Sequence, residues 1–238
     1  MDTDAGVCEA VVDFTVSVSD NCGIFDTQEY IANGDFETGD LSSWTITTVG
    51  GTNVEINDGA NTSSFFNSGN AFAPISGSFD LFRESFFPAT SITSQGMVIP
   101  SNVSSATLSW NDRIATNAGI WSEPNQEVRV LLLDASMSVI TEVYSTNPGD
   151  ALLQLGPNSR SFDLTVTLQG LIGQMVYVSF EVEDNQGILL LSLDDVSLQI
   201  TTENPLVVNQ TAGLASGAVY PLGTTTITLA FTIIDLLF

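Results

Sequence analysis

The chain has 238 residues, 43% of them hydrophobic and 14 of them Phe, so it can bury a sizeable core and is too apolar to remain disordered. Its charge is one-sided: 28 acids face four arginines, with no lysine and no histidine, for a formal net charge of −24. That balance repels phosphate backbones and anionic lipid, which speaks against nucleic acid as a partner and against membrane insertion, and it suits high salt or divalent cations that screen self-repulsion.

In chain order, the opening MDTDAGVCEA has neither a basic nor an apolar leader region, so the expectation is that any secretory leader is absent or already removed. AVVDFTVS (10–17) reads as a first strand. Cys8 and Cys22 flank it and are the only cysteines. Without histidine they cannot complete a zinc site or a Cys–His catalytic pair. A disulfide closing a loop of about 15 residues would contribute about 3 kcal/mol and would imply an extracellular setting; the alternative is two reduced core cysteines. NGDFETGDLSSW (33–44) follows, with Asp35, Glu37 and Asp40 around an apolar Phe36 and ahead of Trp44.

Beyond it, SWTITTV (43–49), ATLSWNDRI (106–114), EVRVLLLD (127–134), VITEVYS (139–145), SFDLTVTL (161–168), QMVYVSFEVE (174–183), LLLSLDDVSLQI (189–200) and TTTITLAFT (224–232) read as strands. They are rich in β-branched and aromatic residues and bounded by Gly, Asn, Asp, Ser and Pro. Residues 134–138 are the expected turn of a hairpin. The tail ITLAFTIIDLLF is too short to span a bilayer and contains Asp235, so it reads as a buried strand. No window shows an amphipathic helix, and the fold class is all-β, a sandwich or jelly roll.

Two resemblances divide the chain. Residues 1–24 are similar to the first part of a hyalin repeat, an immunoglobulin-like extracellular module, through Gly6, Cys8, Ala10, Val12, Phe14, Thr15 and the run Asp20 to Gly23. Residues 206–232 resemble the continuation of the same repeat through Gln210, Gly213, Leu214, Gly217, Pro221, Gly223 and Thr224 to Thr226. About 180 residues separate the two halves. The middle resembles a galactose-binding-type jelly roll of the secreted carbohydrate-binding-module kind, through Asn33, Gly34, Phe36, Glu37, Gly39, Trp44 and the closing Asp194 to Leu198. The implied architecture is a jelly-roll β-sandwich (29–202) inserted into a partial immunoglobulin-like β-sandwich (1–25 with 204–238). Insertion requires the ends of the inserted domain to lie close together.

Calcium is the cofactor that the acidic motifs suggest, because it takes six to eight oxygens and needs no nitrogen or sulfur. The candidate ligands are the backbone carbonyl of Asp35 and the side chains of Glu37 and of Asp194 or Asp195. In a regular strand the last two point to opposite faces, which favours Asp194 as the ligand; the alternative is turn chemistry alone, with the acids in water. A sugar site needs an aromatic platform with a few planar polar groups. Trp121, in a turn-rich loop, and Tyr177 are the candidate platforms; Asn111, Arg113, Glu123 and Arg129 are the polar partners. Trp110 and Trp44 read as packing residues. Each of the four arginines has carboxylate pairing as its default reading.

Catalysis is not expected. Asp112, Glu123, Glu181 and Glu183 supply carboxylates, but in so acidic a chain any pair is cheap, and no His, Lys or nucleophile elbow accompanies them. The sequence thus reads as a non-catalytic extracellular module of a surface or adhesion protein, calcium-stabilised, with a glycan as the partner the resemblance implies. The alternative is a structural subunit of a fibre, assembling with like subunits or neighbouring extracellular domains by strand addition at open sheet edges of the incomplete host repeat. A fragmentary reading frame explains that incompleteness more simply than assembly does.

Overall fold

The structure is a computed structural model and describes residues 9–16, 24–204, 206–221 and 223–233. Cys8, Cys22 and the Asp20 to Gly23 run lie outside the described residues. The chain divides into two compact units, Met1–Asp26 with Glu203–Phe238, and Thr27–Thr202. In the first, β1 (Glu9–Val11) pairs antiparallel with β12 (Val219–Pro221), and β11 (Leu206–Ala212) pairs antiparallel with β13 (Thr228–Ile233).

The second unit is a nine-stranded sheet folded back on itself. Its strands are β2 (Ile24–Glu29), β3 (Thr45–Asn57), β4 (Asp80–Val98), β5 (Val103–Thr116), β6 (Gln126–Asp134), β7 (Val139–Ser145), β8 (Leu153–Asp163), β9 (Met175–Asp184) and β10 (Ile188–Asn204). The fold-back is made by β3 and β4. Leu81 to Phe86 of β4 pair with β10, whereas Ala89 to Val98 pair with β9. Between these halves β3 steps from Gly50 opposite Ala89 to Gly51 opposite Phe86, leaving Phe87 and Pro88 unopposed. Proline cannot donate to a ladder, so a bulge is where a strand can hold one. One leaf therefore carries β7-β6-β9-β4 and the other β4-β10-β5-β8.

Alternation along the strands fills the space between the leaves. Val130, Leu132, Val178 and Phe180 from one leaf and Leu108, Trp110, Leu193, Leu198 and Ile200 from the other belong to one buried cluster. Trp110 meets Phe180 edge-on across the gap, with ring centroids 5.5 Å apart. Trp121 closes the lower end of this core with Ile114, Val128, Val182, Leu189 and Leu191.

The hairpin turn lies at 134–138, where Asp134 accepts from the backbone N–H groups of Ser136 and Ser138. The strand expected over 161–168 ends at Asp163, and Thr165–Gln169 is a short helix, α1. Its Thr165 hydroxyl accepts from the Ala106 N–H of β5, just past the end of the β5–β8 ladder at Thr107 and Asp163.

The two ends of the Thr27–Thr202 unit meet. The hydroxyls of Thr27 and Thr201 lie 2.8 Å apart, Tyr30 N–H donates to the Leu198 carbonyl, and Glu29 accepts from Leu198 N–H and from the Ser197 hydroxyl. Val196 N–H donates to the Gly34 carbonyl at 2.9 Å. The backbones are so close there that a Cβ at position 34 would lie 1.9 Å from the Val196 oxygen, and only glycine fits.

Candidate functional site

The acidic stretch 33–44 is a wound loop around Phe36, which is fully buried and stacks on Trp44 at 5.8 Å. Asn33 organises it: its amide donates to the Asp40 and Ser42 carbonyls, and its own carbonyl accepts from the Trp44 indole N–H. Glu37 reaches out of the loop and accepts from the backbone N–H groups of Ser78 (2.7 Å) and Phe79 (3.0 Å).

Asp194 is fully buried and accepts from Ser76 N–H (2.8 Å), the Ser76 hydroxyl (3.1 Å) and Asp195 N–H (2.8 Å). Burial pushes its carboxyl up to about 7 despite these donors. The expected alternation of Asp194 and Asp195 fails at this point. Asp195 has φ 51° within a bulge, which breaks the pleat and brings both carboxylates to the Ser76 hydroxyl. Asp195 also accepts from the Asn111 amide at 2.9 Å. Asp35 stands apart, lining a shallow cleft of about 320 Å³ with Glu29, Asn33, Asp195 and Ser197. Asp194 and Asp195 thus meet at Ser76 while Glu37 turns to Ser78 and Phe79, and among the described residues no group of three or more His, Cys, Asp or Glu side chains is placed to hold one ion.

Glu37, Asp194 and Asp195 instead fasten residues 58–79, a strap between β3 and β4, onto the outer face of the β10/β5 leaf. Asp80, buried, accepts from Asn57, from Ile75 N–H and from Arg113, and burial raises its carboxyl to about 6. Glu84 accepts from the Ser64 hydroxyl and Phe65 N–H at the start of the single 3₁₀ turn of the strap. Beneath the strap Phe66 and Phe72 pack on Phe82, Ala115 and Leu190, and the Arg113 guanidinium sits 5.3 Å from the Phe72 ring centre.

The expected sugar-site residues are scattered by this arrangement. Trp121, expected at an exposed loop, is completely buried and donates its indole N–H to the Ala151 carbonyl, because the loop carrying it folds inward over the core. Asn111 and Arg113 lie on the outer face that the strap closes. Glu123 occupies an exposed turn. Arg129 and Tyr177 share the outer face of the other leaf, but neither is free there. Arg129 holds Glu181 at 2.9 Å. The Tyr177 ring lies over Gly96, its partner in the ladder, where an added Cβ would come within 2.6 Å of the ring.

A different group of residues forms the larger cleft, of about 540 Å³, at the seam between the leaves opposite the β3/β4 fold-back. Tyr144 enters it from β7 and Arg160 from β8, with the guanidinium carbon 4.6 Å from the centre of the Tyr144 ring. Trp110 and Phe162 back the tyrosine. Arg160 donates from Nε and Nη2 to both oxygens of Asp112 and from Nη2 to Gln154. Burial pushes the Tyr144 hydroxyl up to about 12, so it remains a neutral donor and acceptor. Glu142, Asn147 and Asp150 complete the rim. The sequence signal for this cleft is the period-two placement of Tyr144 in VITEVYS and of Arg160 two residues before Phe162. It is easily missed because the two strands become neighbours only when the leaves close.

No family's sequence profile matches the chain, and no curated protein matches its sequence. In fold it is similar to TmCBM61 in complex with β-1,4-galactotriose (16% identity, 72% of this chain and 97% of that chain, TM-score 0.42). It is similar also to the K1 cleaved adhesin domain of Lys-gingipain from Porphyromonas gingivalis W83 (15%, 75% and 98%, TM-score 0.43). A third similarity is to the enzymatically active domain of bacteriophage CBA120 tailspike protein 4 (12%, 72% of this chain, TM-score 0.44), of whose chain it spans only 21%. Likeness at this level fixes neither ligand nor activity.

Proposed function

We propose that residues 27–202 form a non-catalytic carbohydrate-binding module of an extracellular surface or adhesion protein, with the sugar held in the seam cleft. The observation that carries this is the pairing of Tyr144 with Arg160 across the seam, beside Gln154, Asn147 and Asp150. Tyr144 is partly exposed, and the part of its ring that the guanidinium leaves uncovered offers an apolar surface to a pyranose, while the flanking planar amides and carboxylates match ring hydroxyls. The cleft volume lies within the roughly 300–1,000 Å³ of small-ligand sites. The reading rests on this cleft and not on the fold likeness.

The expected outcome is measurable binding to at least one oligosaccharide class by titration calorimetry or affinity electrophoresis, lost in Tyr144→Ala. Silence across a broad glycan panel, or binding untouched by that substitution in a folded variant, overturns the reading. The segments on either side of the module belong to the same proposal as a hyalin-repeat-like host that spaces it from neighbouring domains.

Calcium enters on a narrower footing than the sequence suggests, as a stabilising ion at Asp35 and Asp195 alone, with backbone carbonyls and water completing its shell, since Glu29 in the same cleft accepts from Ile31, Ser197 and Leu198. Chelation is then expected to lower Tm, and millimolar calcium to restore it. An unchanged melt removes calcium and leaves the glycan cleft standing.

A further inference from the structure

We infer that the seam cleft selects neutral glycans and rejects acidic ones, an inference that rests on the glycan reading above. The only cation lining the cleft is Arg160, and its charge is already engaged. Its Nε and Nη2 face both oxygens of the fully buried Asp112 side chain, with the closest ion-pair contact at 2.9 Å, and its plane lies over Tyr144. A bidentate guanidinium–carboxylate pair is close to neutral when seen from the cleft, and its geometry is not exchanged cheaply for a new carboxylate.

On the rim, Glu142 and Asp150 are exposed, and among the described residues neither is paired with a cation. Asp150 accepts only backbone help, from Asn147 N–H at 2.7 Å. An entering uronate or sulfate ester would meet two uncompensated carboxylates, inside the field of a chain with net charge −24. A neutral pyranose meets the same two groups as acceptors. Hydroxyl donors to an ionised carboxylate form short, charge-assisted hydrogen bonds, so the charge that repels an acidic sugar holds a neutral one. Arg160 retains the two N–H bonds of Nη1, which have no acceptor among the described residues and suit a ring or hydroxyl oxygen.

The test is a calorimetric titration of the full chain with matched neutral and uronic-acid oligosaccharides, alongside the double variant Glu142→Gln, Asp150→Asn, each variant first checked for an unchanged melt. Neutral oligosaccharides are expected to bind with an affinity nearly independent of salt, and the uronates at least tenfold more weakly. The double variant is expected to reverse the pattern in part: neutral affinity falls and uronate affinity rises by roughly tenfold, the scale of removing two unit charges at close range in a solvated cleft. Uronates binding the wild type as tightly as neutral sugars, with that binding lost in Tyr144→Ala, overturns the selectivity and leaves the glycan site standing. Binding by neither class overturns both.

Discussion

The two outer faces of the sandwich bury carboxylates by different means. On the β10/β5 leaf, Asp80, Glu84 and Asp194, joined by Glu37 from the 33–44 loop, accept from backbone N–H groups of Ile75, Phe65, Ser76, Ser78 and Phe79, with a single arginine, Arg113, among them. On the β6/β9 leaf no strap supplies amides. Glu127, Glu181 and Glu183 stand near one another in the ladder, with Arg129 as their only ion-pairing partner among the described residues. Glu181 is satisfied by Arg129 and the Ser179 hydroxyl, and Glu183 accepts from Thr90. Glu127 is 1% exposed and neither of its oxygens has a hydrogen-bond partner. A chain with four cations for 28 acids has to neutralise buried carboxylates with main-chain dipoles, and where it does not, the group is strained toward protonation.

The largest expected effect lies under the strap. Asp80→Ala removes the acceptor of Asn57, Ile75 and Arg113 together and leaves a buried guanidinium without its partner. A loss of about 3–5 kcal/mol in chemical denaturation is expected. Arg129→Ala on the opposite leaf, whose side chain is 28% exposed, should cost clearly less. Equal losses would break the comparison.

A second contrast is in pH. Burial raises Asp80 to about 6 and Asp194 to about 7 from an ordinary value of 3.8. The folded state therefore keeps protons that the unfolded chain has released. The resulting stability is fully present below about pH 4 and is lost as pH rises through 6 and 7. Relief of self-repulsion on acidification acts in the same direction, so the readout is a difference: Tm of Asp194→Asn should fall less than that of the wild type across the upper part of this window. Parallel curves would remove Asp194 as the cause.

The smallest effect is expected at Glu127, whose carboxyl is raised mainly by burial. Glu127→Gln, which removes a buried charge that accepts no hydrogen bond and whose nearest cation, Arg129, stands at 4.0 Å, should stabilise by about 1 kcal/mol at pH 8 and not at all at pH 4. Destabilisation at pH 8 would mean that the charge has a partner on that face.

The sequence showed the all-β class and the hairpin at 134–138 through their pattern of apolar and turn residues, and the meeting of the 33–44 and 194–198 motifs only through the insertion that the two resemblances imply. It did not show β4, the longest strand, because Arg83, Glu84, Pro88 and a run of Ser and Thr look like loop. In the fold Arg83, Glu84, Ser85, Ser91, Thr93 and Ser94 are buried, and the exposed proline sits in the bulge that turns one sheet into two leaves. Trp121 misled for the converse reason: turn residues flank it, yet its loop folds inward. The acids of the two motifs were legible as a cluster but not as a strap anchor, since their partners are backbone amides of 75–79, which carry no sequence signature. The Tyr144–Arg160 pair was hidden because it exists only across the closed seam.

The most direct measurement for the central claim is backbone amide chemical-shift mapping of the full chain during titration with a neutral oligosaccharide. The account predicts that the shifts cluster at Tyr144, Asn147, Asp150, Gln154 and Arg160. Shifts centred on Arg129 and Tyr177 of the other outer face would contradict it.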